Sequence, residues 1–129
     1  MLFIKERWLE DEELGFLKAK TLIFETSSIK WRKRIDFLGF DVDVMVSGTS
    51  HSLNRAQRKI IIGALNEKKL LEKQVKEVIK GLCNKHSGKF DAWDAYYRCS
   101  HIYVDGAELY ISIEDLENHL SYDLELHWF

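Results

Sequence analysis

Apolar residues recur at every second position near both ends of this chain and at every third or fourth position in its middle. That change of period constrains the fold more than any other feature, because two-residue spacing makes one face of a strand and 3.6-residue spacing one face of a helix. The clearest alternation is Phe40, Val42, Val44 and Val46 against Asp41 and Asp43, a strand with one wet face. Leu2 and Ile4 alternate with Phe3 and Lys5 toward Trp8, and residues 16–25 are rich in strand formers. Residues 10–13 are all acidic and read as a loop closed by Gly15, and Thr26, Ser27 and Ser28 punctuate the next strand.

The helical period begins after Asn54, a suitable N-cap with Gln57 placed to reach back to it. Ile60, Ile61, Ala64 and Leu65 form one apolar stripe, Asn66 a break, and Leu71, Val75, Val78, Ile79 and Leu82 a second stripe. Asp105-Gly106 between two apolar runs predicts a hairpin with a two-residue type I′ turn. Ser112 is placed to cap a short helix with Ile113, Leu116 and Leu120 on one face, and residues 121–129 alternate again as a final strand. The expected architecture is one domain over residues 1–129. Its class is α+β: an antiparallel sheet with two central helices and a short C-terminal helix packed on one face.

Composition narrows the class of protein. The 129 residues are 46% apolar, enough to fill a core and to exclude a disordered chain. No apolar run is long enough for a signal-peptide core or a membrane span. The two cysteines, Cys83 and Cys99, read as buried free thiols, which points to the cytoplasm.

The net charge of −2 conceals an uneven distribution. Residues 1–90 hold 18 Lys/Arg against 12 Asp/Glu, a net of +6, whereas residues 91–129 hold one base against nine acids, a net of −8. The acidic part also carries eight of the 16 aromatic residues. Carboxylates mixed with Tyr and Trp suit the surface of an inhibitor of a basic protein: charge speeds encounter and aromatic rings anchor it. The predicted partner-binding residues are Asp91, Trp93, Asp94, Tyr97, Glu114, Asp115 and Glu117.

Other chemistries are weaker. Cys83 and His86, with Cys99 and His101, have donor types that suit zinc, but the spacing lacks the tight knuckle of a finger, and two buried thiols with unrelated histidines explain it as well. Cys99, His101 and Asp94 are close in sequence without the turn that positions a nucleophile. No catalytic residue, metal or cofactor is assigned. Lys30-Trp31-Arg32-Lys33-Arg34 interleaves an aromatic with four cations, a pattern that nucleic-acid binding uses. The acidic last third and a pI near 6.2 weigh against it, and a charged strand edge explains the same residues.

Gly15-Phe16, residues 40–44, residues 53–57 and the closing pair of segments, 113–116 and 124–128, follow one another in an order that resembles a group of small bacterial domains. Some of that group are immunity proteins that act beside toxins. The resemblance implies an α+β fold and no enzymatic activity, and it supplies no catalytic residue. Together these readings predict a non-enzymatic protein that neutralises a basic toxin domain by direct binding. The alternatives are a small nucleic-acid-binding domain and a Cys/His zinc protein.

Overall fold

Strands that alternate in polarity bury one face only by pairing with neighbours and covering that face. In the computed structural model, which describes residues 4–86 and 93–126, β1 (Ile4–Asp11), β2 (Gly15–Leu22), β3 (Ile29–Phe37) and β4 (Phe40–Gly48) form an antiparallel meander. The chain then passes through α1 (Arg55–Asn66), α2 (Lys68–His86) and a single turn, α3 (Trp93–Tyr96). It re-enters the sheet as β5 (Tyr97–Asp105), parallel to β4, and finishes with β6 (Glu108–Asp115) and β7 (Leu120–Leu126), both antiparallel to their neighbours. The seven strands lie in one sheet in chain order.

This architecture corrects the expected α+β arrangement. The sheet is mixed rather than antiparallel, because a helical crossover returns the chain in the direction it left. Seven strands dominate, and the segment expected as a C-terminal helix is strand and turn. Leu109, Ile111, Ile113 and Asp115 are all buried, so the two-residue period of β6 runs through the proposed helix start. Leu116 and Leu120, the other members of the supposed helical stripe, are exposed. Asp115 Oδ1 accepts the N–H groups of Glu117 and Asn118 at 3.1 and 3.0 Å, which turns the chain into β7.

The turns follow backbone chemistry that the sequence only partly displays. Leu38 and Gly39 both have positive φ (54° and 84°) between the paired Phe37 and Phe40, as a type I′ turn requires. The Leu38 N–H is taken by Glu72 Oε2 of α2 at 2.7 Å. In the β5–β6 hairpin the loop is Gly106-Ala107, one residue later than expected: Asp105 pairs with Glu108, and Gly106 alone takes positive φ, 62°. A first-position glycine is the mark of type II′ rather than I′.

Asn54 caps α1 as expected, its side chain accepting the Gln57 N–H at 3.0 Å. Gln57 does not reach back to Asn54; its Oε1 accepts the Ser47 N–H at 2.9 Å and ties the helix to the end of β4. Between them Gly48 lies so close to Ser52 that a Cβ would fall 2.2 Å from the Ser52 carbonyl oxygen, so only glycine fits.

The core lies between the helices and one sheet face. Ile61, Leu71, Val75 and Ile79 pack with Trp31, Phe37, Val42, Val44, Ile102 and Ile111, all at most 1% exposed. Each such side chain contributes roughly 1.5–3 kcal/mol of transfer free energy. Trp31, the aromatic of the basic run, belongs to this core, and its Nε1 donates to the Thr49 carbonyl at 2.9 Å. β3 lies between β2 and β4, so its cations do not guard a sheet edge.

Candidate binding face

The face of the sheet opposite the helices is open. One row of register partners crosses all seven strands on it: Trp8, Lys18, Arg32, Met45, Tyr103, Tyr110 and Glu125. A second row holds Arg34, Asp43, His101, Ser112 and Asp123. Charge is segregated along both rows. Cations stand on β2 and β3 and carboxylates on β7, with Asp43 of β4 the acid set against the basic side.

The acidic half is built around aromatic rings. Tyr103 and Tyr110 stack with centroids 5.5 Å apart and planes inclined by 21°. Burial, with the carboxylate of Asp123 beside it, pushes the Tyr103 phenol above its ordinary value. Asp123 Oδ1 accepts the Ser112 hydroxyl at 2.7 Å. Arg98 Nε lies 3.7 Å from Glu114 Oε2, an ion pair across β5 and β6 on this half.

The basic half contains a cleft of about 820 Å³ between β2 and β3. These strands share a single register pair, Lys18 with Arg32, and spread apart on either side of it. Arg7, Lys18, Lys20, Lys30, Arg32, Lys33 and Arg34 line the cleft with Trp8 and Phe16, while Glu6, Glu25 and Asp43 are its acids. Lys18 Nζ sits 4.5 Å from the Trp8 ring centroid. Arg7 is committed to structure: it donates to Thr21 Oγ1 at 2.8 Å and to the carbonyls of Ile23 and Glu25 at 3.3 and 2.7 Å, and so shapes the loop after β2. Lys33 donates to the Leu14 carbonyl.

Those of the predicted partner-binding residues that the structure describes gather at one corner and divide there. Tyr97 and Asp115 are register partners on the helix side, 3% and 2% exposed, so they serve the core and the β6–β7 turn rather than a partner. Glu114 is their half-buried neighbour on the open face, and Asp94 of α3 and Glu117 of the turn are exposed. The Leu116 N–H donates to the Tyr96 carbonyl at 2.8 Å, which fastens α3 to that turn. Asp91 and the Trp93 side chain lie outside the described residues.

The Cys/His set does not share a side of the sheet. A bulge between Cys99 and His101 leaves Cys99 with Ile113 on the helix side and turns His101 to the open face opposite Ser112. Residues two apart in a regular strand would have shared a face. The His86 side chain lies outside the described residues, and no group of three or more His, Cys, Asp or Glu among those described is placed to hold a metal. Cys99 is fully buried and its thiol is pushed up to about 12, first by burial and then by Glu72, so it holds no thiolate near neutrality.

Sequence reasoning missed Trp8, Phe16, Lys18 and Lys20. Their signal was parity: Leu17 and Ala19 mark the buried face of β2, which leaves Phe16, Lys18 and Lys20 on the other, with Trp8 opposite Lys18. No known protein family, curated protein or solved structure matches the chain. No helix among the described residues is long and apolar enough to cross a membrane.

Proposed function

We propose that the protein binds another protein through the acidic half of its open sheet face and neutralises it, as an immunity protein neutralises a toxin domain. The observation that carries this reading is the Tyr103–Tyr110 stack, bordered by Asp123 and Glu125 on the solvent side of a helix-backed sheet, with Glu114 farther along β6 on the same face. Stacked rings on paired strands lose little freedom when covered, so they suit the centre of an interface. The surrounding carboxylates set a field that draws a basic partner and disfavours an acidic one. Asp94 and Glu117 extend the same sign of charge to the corner beyond Glu114.

The test compares wild-type protein with D123K/E125K as bait in extract of its own source cells. The expected outcome is a basic protein held by the wild type and released by the variant. Titration of that protein should show an affinity loss of about 1–3 kcal/mol, larger at low salt. Circular dichroism of the variant checks that the fold is intact. Identical proteins retained by both baits would remove this surface from consideration.

A further inference from the structure

We infer that the cleft between β2 and β3, with the exposed rings of Trp8 and Phe16, binds single-stranded nucleic acid. Trp8 and Phe16 are 57% and 66% exposed. They lie diagonally on the open face of the β1–β2 hairpin, since Trp8 pairs with Lys18, two residues from Phe16. Diagonal neighbours sit about 7–8 Å apart, within reach of consecutive splayed bases. An exposed ring with a lysine against it supplies stacking and charge together.

The cations have a regular spacing. Lys30, Arg32 and Arg34 occupy alternate positions on the same face of β3. Their Cα atoms therefore recur about every 6.7 Å, close to the repeat of successive phosphates in an extended single strand. An acidic protein surface has no reason to match such a repeat. The opening of β2 from β3 makes an elongated groove rather than a closed pocket, as a polymer requires. Arg32 and Arg34 meet Asp43 at 3.9 and 3.5 Å, but both arginines are more than half exposed, and a phosphate replaces such bridges at small cost. The carboxylates of β7 repel a polyanion and confine it to the β1–β3 half. A duplex offers no unstacked base to Trp8 and Phe16, so single strands are preferred. Backbone charge and stacking read neither sequence nor sugar, so RNA and DNA both fit.

Fluorescence anisotropy with labelled oligouridine and oligothymidine of about 12 nucleotides tests the proposal, one arm for each sugar. Comparators are a duplex of equal length, polyglutamate and phosphatidylserine vesicles. Three phosphate contacts predict an affinity loss of about twentyfold between 50 and 200 mM salt. W8A/F16A should weaken binding about tenfold or more with the same salt dependence, and R32E/R34E should abolish binding. D123K/E125K should bind the oligonucleotide at least as well as wild type, which separates this site from the protein-binding surface. Absence of binding at 50 mM salt overturns the proposal. So does equal affinity for polyglutamate, vesicles or duplex, or indifference to W8A/F16A.

Discussion

Asp11 shows how one side chain joins distant parts of this fold. It ends β1 and accepts the N–H groups of Glu13 and Leu14, each at 2.9 Å, to form the turn into β2. It also takes Arg58 of α1 in a forked contact, 2.7 Å from Nε and 3.2 Å from Nη2. The Arg58 hydrogen bond is the largest influence on the Asp11 carboxyl; burial opposes it and the two backbone N–H groups assist it, holding the carboxyl at about 2 against an ordinary 3.8. A carboxyl depressed in the folded state contributes stability above its unfolded value and loses it as the pH falls through the folded one. Urea denaturation across pH should therefore show Asp11's contribution in full above 3.8 and vanishing toward 2. D11N should cost about 1–2 kcal/mol at neutral pH and flatten the wild-type decline over that window. An acid limb unchanged in D11N would refute this assignment.

At the scale of elements, contacts between segments decided what local preference left open. Leucine is a poor residue for positive φ, yet Leu38 holds it because α2 supplies Glu72 to its N–H. E72A should destabilise the protein by about 1–2 kcal/mol in urea and speed hydrogen exchange at Leu38. Unaltered exchange there would mean that the strands alone set the turn. The same logic explains the mistaken C-terminal helix. Ile113, Leu116 and Leu120 match a helical face by spacing, but Ile113 pairs with Cys99 of β5 and Tyr122 of β7, and strand pairing on both sides outweighs a short stripe. The helices were legible because their stripes are long and Asn54 is a true cap. Of the four N-terminal strands, β1 and β4 were legible by alternation and β2 by its strand formers, whereas β3 was read only as a basic run, and the turn at Leu38-Gly39 carries only half of its usual signal.

For the whole molecule, one core joins the helices to every strand from β2 to β7, and cooperative behaviour should follow. Cys83 on α2 and Cys99 on β5 are both fully buried. At pH 8 a thiol reagent should modify them only as the protein opens, at one shared rate that mass spectrometry follows at each site; both should react at once in denaturant. Rapid labelling of Cys83 alone would show that α2 opens as a separate unit. The amino-acid sequence by itself determined the periods, hence most of the strands, both long helices and the Asn54 cap, because period and capping are properties of neighbours along the chain. It also determined the division into basic and acidic parts. Tertiary structure alone decided that β5 returns parallel to β4, that a bulge separates Cys99 from His101, and that Tyr97 and Asp115 are buried while Trp8 and Phe16 face solvent. These outcomes depend on which strand lies beside which, and on which face the helices cover. Neither is set until distant segments meet, and so the basic cleft and the tyrosine stack became surfaces only in the assembled sheet.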